Sequence, residues 1–328
     1  MKICIISEKQ MKEIMSMKDA IAAVKEAAIA YSNGKANIPL RANLDVKKYN
    51  GNSLYMYGYV GDCNALGVKL VSVYPDNPKI GVSACPATMI LENAETGEVS
   101  AIMDGTYLTR LRTGALSGAA TEILSRKDSK VFTLIGTGGQ AECQLEAVLA
   151  VRDIEEVRVY SRNYDNVLKF IEKVSENKKQ KFIACKSSDE AIDNADIVTA
   201  VTVSNDPVFD GKKIKMGCHI NGVGSYTPTM SEIDEYIVCN AGKIIVDTID
   251  GTINETGDFL KPMQKGLFKK EMITGELGEL VSGKCKSRET TSEITFFETT
   301  GSAVFDLVTA QKIYELAIKN NQGKIIDV

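Results

Sequence analysis

The chain has 328 residues, 44% hydrophobic and 25% charged, an ordinary globular composition with enough length for two cores, which excludes a disordered or fibrous protein. Its 39 basic and 43 acidic residues give a net charge of −4 and are mixed along the chain, so no face is set up for nucleic acid and a small-molecule partner is expected. The amino terminus holds only a four-residue apolar run, Ile3 to Ile6, between Lys2 and Glu8, and no segment reaches the ~18 apolar residues of a membrane span, so a soluble, cytoplasmic protein without membrane contact is expected.

Helical spacing of alanine and apolar positions predicts a helix from Lys18 to Ser32, closed by Asn33-Gly34. From Leu40 to Leu91, short apolar runs are cut by Gly, Asn and Pro punctuation, an antiparallel texture. A small-residue helix from Tyr107 to Leu124 then serves as a bridge between two domains. Beyond it strands alternate with helical segments. The strand candidates are Val131 to Ile135, Val157 to Tyr160, Phe182 to Cys185, Ile197 to Val201, His219 to Val223, Tyr236 to Cys239 and Ile244 to Asp247. This alternation predicts an α/β fold with a doubly wound parallel sheet, whose ligands bind at the carboxyl ends of the strands. A last helix, Ser302 to Lys319, is expected to return to the first domain.

The most informative segment is VFTLIGTGGQA, Val131 to Ala141. A buried strand runs into a glycine turn and an apolar helix from Gln140 to Val151. Gly136 permits the turn, Gly138 and Gly139 let backbone N–H groups approach a pyrophosphate, and the helix N-terminus faces the anion. In an NAD site an acidic residue roughly 20 positions on holds the ribose 2′-hydroxyl. Here Ser161, twenty-two residues after Gly139, stands near that place, followed by Arg162 and Asn163. A hydroxyl, a guanidinium and an amide suit a 2′-phosphate, so NADP(H) is the preferred cofactor, with NAD(H) left open. The plainer alternative is that Arg162 is a solvated cation after a strand.

The eight cysteines show no CxxC spacing and read as free thiols of a reducing compartment. His219 is the sole histidine, so no metal site is expected. Within the strand CHINGV it reads as a hydrogen-bonded structural imidazole rather than a catalytic one.

Seven motifs stand in a fixed order: GVKLVSVYPDN (Gly67 to Asn77), RLRTGALSGAA (Arg110 to Ala120), LIGTGGQA (Leu134 to Ala141), ADIVTAVT (Ala195 to Thr202), HINGVGSYTP (His219 to Pro228), GELGELVSGK (Gly275 to Lys284) and TTGSAVFD (Thr299 to Asp306). In these the sequence resembles the ornithine cyclodeaminase/mu-crystallin family over nearly its whole length. The resemblance implies a homodimer with a smaller α+β substrate-binding and dimerisation domain, residues 1–113 with 300–328. It places a Rossmann dinucleotide-binding domain at residues 114–299. It implies chemistry at a carbon–nitrogen bond beside a carboxylate. Arg41, Lys69 and Arg112 match the cations that hold that carboxylate, and a guanidinium fork plus an ammonium suits the task. Contacts to the cofactor are implied from Arg112, Thr113, Gly138, Gly139, Gln140, Ser161, Arg162, Asn163, Thr202, Val223 and Thr299, although Thr202 could equally be a strand-end turn former.

Departures from the family pattern point to the reaction. Ornithine-cyclising and alanine-oxidising members carry an aspartate two residues before the proline of a VGxDxP stretch; this chain has Tyr226 there. Oxidation of an amino acid needs a base, and a phenol with an ordinary pKa of about 10 is a poor one. Reduction of an imine needs a proton donor, a role open to a phenol, so Tyr226 and Lys69 are the candidate catalytic residues, with a packing role for Tyr226 as the alternative. Ser83-Ala84 replaces a Pro-Thr pair of relatives, and Glu298 stands where lysine is common. The expectation is an NADPH-dependent reductase of a small α-imino acid. The alternatives are ornithine cyclodeamination, alanine dehydrogenation and ligand sequestration without turnover.

Overall fold

The computed structural model describes residues 1–328, which form two compact units: Met1–Arg112 with Ser302–Val328, and Thr113–Gly301. The division falls inside the helix Gly105–Leu124, which starts where the Asp104 carboxylate accepts the Tyr107 N–H at 2.7 Å. No helix is long and apolar enough to cross a membrane.

The first unit is built on a mixed sheet. Strands Ala42–Val46, Gly51–Val60, Ala65–Val73 and Ala87–Glu92 pair antiparallel, in keeping with the punctuated texture of this region. Val99–Asp104 continues the meander. Two strands that sequence reasoning did not separate out extend it: Lys2–Ile6 pairs parallel with Val99–Asp104, and Lys324–Asp327 closes the edge antiparallel. Helix Met17–Ser32 begins at a capping box, in which Ser16 accepts the Asp19 N–H while the Asp19 carboxylate holds the Ser16 N–H. It buries Ala20, Val24, Ala27 and Ala28, small residues that let helix Ala303–Lys319 pack closely against it and against the strands.

The second unit is an eight-stranded parallel sheet. Its order is Lys181–Ala184, Glu156–Tyr160, Val131–Ile135, Ile197–Ala200, His219–Gly222, Thr295–Glu298, Lys243–Val246 and Gly275–Glu276. The order reverses between Val131–Ile135 and Ile197–Ala200, the topological switch where such sheets open a crevice at the strand ends. Alternate residues feed two separate cores. Phe132, Leu134 and Ile197 join one cluster, whereas Ile135, Val198 and Ala200 join the other, so both faces are covered, as parallel sheets require.

One predicted strand is corrected. Tyr236 to Cys239 lies in helix Glu235–Asn240, because the Asp234 carboxylate caps the Tyr236 N–H at 2.7 Å and turns the chain into a helix before it can extend. Strand Thr295–Glu298, absent from the sequence-based set, enters between His219–Gly222 and Lys243–Val246. Of the cysteines, five are buried, Cys239 and Cys285 are half-buried, Cys85 is exposed, and all are free thiols.

His219 is fully enclosed, its Nδ1 2.9 Å from the Thr295 hydroxyl and its Nε2 3.0 Å from the Asn221 side-chain oxygen. The Asn221 amide in turn donates to Thr121 and Thr199, so a structural imidazole is what the geometry shows. Burial, with Arg288 adding repulsion, holds the imidazole pKa down to about 3. Between its ordinary value, about 6.5, and pH 3 the unfolded chain binds a proton that the folded chain refuses, so stability falls as pH falls. Urea unfolding at pH 7 and pH 5 should show the native chain losing about 2 kcal/mol more than His219→Gln over that interval. Equal losses would mean that His219 ionises freely in the folded protein.

Candidate active site

In the first unit, Lys69 occupies a core position. Strand Ala65–Val73 alternates inward at Ala65, Gly67, Lys69 and Val71, and the cross-strand neighbours of Lys69 are Met56 and Met89, which flank its aliphatic stem. The ammonium is 1% exposed and donates to the Asp306 carboxylate at 2.7 Å. Arg112 donates from Nε to the other oxygen of the same carboxylate at 2.9 Å. Asp306 itself is fully buried on helix Ala303–Lys319. One carboxylate therefore faces two buried cations, and the Arg112 Nη1 is buried without a hydrogen-bond partner. Such a donor is costly unless an acceptor arrives. Burial pulls the Lys69 pKa to about 7 against the pull of Asp306, with Arg112 and then Arg41 adding repulsion, while the two cations hold Asp306 low despite its burial. The buried cluster holds two cations against one carboxylate, a charge balance suited to an anion, and it brings together Lys69 and Arg112, with Arg41 near enough to repel the ammonium.

In the second unit, the glycine turn sits at the topological switch. Gly136 has φ +111° and donates its N–H to the Tyr160 carbonyl at 2.9 Å; a Cβ there would strike the Val201 carbonyl, so only glycine serves. Gly138 and Gly139 are exposed, and a Cβ at Gly138 would meet nothing, leaving an open backbone surface. Helix Ala141–Val151 follows with no side-chain cap on its N-terminus, and the Gln140 side-chain oxygen is buried without a partner. A helix start without a side-chain cap beside an open glycine surface fits a pyrophosphate. At the end of the adjacent strand Ser161 is half-buried and Arg162 exposed. The Asn163 carbonyl oxygen caps helix Tyr164–Ser175 through the Asp165 and Asn166 N–H groups, so only its amide NH2 remains for another partner.

The neighbouring strand ends carry Thr202 and Val223. Both are tied to the buried Glu232 carboxylate, which accepts the Thr202 N–H at 2.6 Å, the Thr202 hydroxyl at 2.8 Å, the Val223 N–H at 3.0 Å and the Gly224 N–H. Burial, with Asp258 adding repulsion, raises Glu232 to about 7 against these donors. Tyr226 is half-buried just beyond. Thr299 is buried with its hydroxyl donated to Asp247 at 2.6 Å, and Thr113 is buried in the helix Gly105–Leu124. Glu298 is fully buried, takes the Thr256 hydroxyl at 3.2 Å, and is driven well above the usual carboxyl range by burial, then by Asp258 and Glu232.

Sequence reasoning missed Asp306 and Glu232. Asp306 lies among Ala303, Val304, Phe305, Leu307 and Val308, all buried, and an acid inside such an apolar helical run was the available signal. Glu232 had none, since three of its four donors are backbone groups.

The unit topology, the glycine turn and the buried cation pair together define a two-unit α/β protein with a Rossmann-type strand–turn–helix. The chain matches the ornithine cyclodeaminase/mu-crystallin family over residues 1–321 and belongs to it. It is 37% identical to a Delta(1)-pyrroline-2-carboxylate reductase of Bacillus cereus over 323 residues, 98% of this chain and 99% of the relative. Among solved structures, the Thermococcus litoralis Delta(1)-pyrroline-2-carboxylate reductase in complex with NADH and L-proline superposes with a TM-score of 0.95 at 40% identity, covering 99% of this chain and 100% of that one. An archaeal alanine dehydrogenase dimer with bound NAD gives 0.92 at 34% identity, covering 100% and 99%.

Asp306→Asn keeps the shape and removes the charge that two buried cations share. Urea unfolding should show a loss of about 3 kcal/mol or more; a loss below about 1 kcal/mol would show that Lys69 and Arg112 do not depend on that charge.

Proposed function

We propose that this chain is a nicotinamide-dependent reductase of a small cyclic α-imino acid of the 1-pyrroline-2-carboxylate type, forming the L-amino acid. The observation that carries it is the Lys69–Asp306–Arg112 cluster with its unpartnered guanidinium N–H, and the relatives' activities agree. The unit Met1–Arg112 with Ser302–Val328 would bind the acid and form the contact of a homodimer, and Thr113–Gly301 would bind the dinucleotide.

In this reading the substrate carboxylate takes the free Arg112 Nη1, with Arg41 adding charge. Burial is the main cause that lowers Lys69, and an arriving anion would offset the added repulsion from Arg112 and Arg41, favouring the protonated Nζ. A bound reduced nicotinamide supplies the hydride for the imine carbon. The imine nitrogen would need a proton, for which the Lys69 ammonium and the Tyr226 phenol are our candidate donors. Gly136, Gly138, Gly139 and Gln140 would hold the pyrophosphate, Ser161, Arg162 and Asn163 the adenosine ribose, and Thr202, Val223 and Thr299 the nicotinamide end. Because no carboxylate stands at residues 161–163, we infer a preference for NADP(H), whose 2′-phosphate the Arg162 guanidinium would meet.

Oxidation of NADPH and NADH is to be followed with 1-pyrroline-2-carboxylate, 1-piperideine-2-carboxylate and pyruvate with ammonia, alongside ammonia release from ornithine. A cyclic imino acid should give the highest kcat/KM; ornithine turning over faster than every imine would replace the reading with cyclodeamination. Arg162→Asp should raise the KM for NADPH about tenfold or more while leaving NADH unchanged or improved, as expected for loss of about 1.4 kcal/mol or more of phosphate contact. An unchanged preference removes Arg162 from the phosphate site.

A further inference from the structure

Glu232 lies in no glycine turn and in no cation cluster, yet its carboxylate gathers four donors from two separate strand ends. Thr202 follows strand Ile197–Ala200 and Val223 follows the adjacent strand His219–Gly222. One oxygen of Glu232 takes the N–H and hydroxyl of Thr202, and the other takes the N–H groups of Val223 and Gly224. The two loops press so closely that a Cβ on Gly224 would strike the Thr202 backbone. Glu232 is itself held. Asp258, at the start of helix Gly257–Gln264, accepts the Ser231 hydroxyl at 2.9 Å, the Glu232 N–H at 2.8 Å and the Ile233 N–H at 2.9 Å, all on one oxygen. The Ser231 N–H also reaches the Ser204 carbonyl, and the Val208 N–H the Glu232 carbonyl.

We propose that Glu232 is a positioning residue: its carboxylate, set in place by Asp258, fixes the loops of Thr202 and Val223 in the spacing that the nicotinamide end of the dinucleotide requires. This rests on the cofactor reading above. Packing alone does not explain the choice of residue. An apolar side chain would take the acceptor from the Thr202 N–H, the Thr202 hydroxyl and the Gly224 N–H, leaving only the Val223 N–H its bond to the Ala200 carbonyl, and an amide would turn its NH2 against N–H groups, whereas a carboxylate has only acceptors to offer. Beyond the last rung of the strand ladder, where the Val223 N–H also reaches the Ala200 carbonyl at 3.1 Å, Glu232 is the side chain that joins Thr202 to Val223 and Gly224. Glu232 touches neither reacting atom; it acts through Thr202 and Val223.

The test separates the two halves of the cofactor. Dissociation constants are measured for NADPH and NADH by their fluorescence, and for the adenosine fragments 2′,5′-ADP and ADP by competition, on the native full-length chain, Glu232→Gln and Glu232→Asp, with melting temperatures recorded. Glu232→Gln should weaken the preferred dinucleotide tenfold or more while its fragment binds within twofold of the native value, because the glycine turn and residues 161–163 are untouched. Glu232→Asp keeps the charge but is one methylene short, and should fall between; it carries the test if the glutamine variant does not fold. A dinucleotide affinity unchanged within twofold, or parallel loss of dinucleotide and fragment, overturns the proposal. A native chain that binds neither dinucleotide overturns the cofactor reading itself, which is a different result.

Discussion

A single buried carboxylate shared by two buried cations is the constraint on which the first unit turns. Asp306, Lys69 and Arg112 come from a helix, a strand and a second helix that are far apart in sequence, and their charges are out of water. Desolvation makes each member intolerable alone. The sheet and the helix Ala303–Lys319 must therefore meet in one register, with Lys69 inward between Met56 and Met89 and Asp306 facing it. The arrangement is deliberately incomplete, because two cations on one anion leave a charge and a guanidinium N–H without a counterpart. A fold optimised for stability alone would have filled this place with apolar side chains. In the proposed function the surplus gives the cluster its use, since a carboxylate-bearing ligand would both satisfy the donor and restore the charge balance.

The second unit solves the complementary problem. There the strand ends must present backbone N–H groups to a polyanionic ligand without collapsing onto one another. Gly136 allows the chain to turn beside Val201, and the Glu232 carboxylate ties the loops of Thr202 and Val223 at a fixed distance. Around Glu298 lie Asp258, Glu232 and Asp247, acids that repel it and are accommodated by dense donation from backbone and hydroxyl groups. In the first unit the buried charge is mainly cationic and in the second mainly anionic, and in each the protein resolves the cost through hydrogen bonds to groups that other parts of the chain place there.

Much of this was legible in the sequence. The glycine turn, the parallel alternation and the antiparallel region follow from periodicity and from glycine, asparagine and proline punctuation, which are local properties. Lys69 and Arg112 came from motif resemblance, and their apolar surroundings already signalled that an anion must compensate them. What was not legible is non-local. Asp306 acquires its meaning only when helix and strand are brought together, and Glu232 only when two strand ends converge on it. The helix at Glu235–Asn240 was misread because the apolar run YIVC has no intrinsic preference strong enough to resist the cap at Asp234. Strand Thr295–Glu298 escaped because its run TFFE closes on an acid at a buried position, where strands of the same length such as Ile197–Ala200 carry apolar or small residues.

The central claim is that the unpaired donor of the cation cluster exists to take a carboxylate. The most direct measurement compares 1-pyrroline-2-carboxylate with its neutral carboxamide at saturating reduced cofactor on the unaltered protein. Loss of the negative charge should lower kcat/KM about a hundredfold or more, mostly through KM, as expected for a charge-assisted pair worth about 3 kcal/mol. Comparable kcat/KM for the acid and the amide would contradict the account.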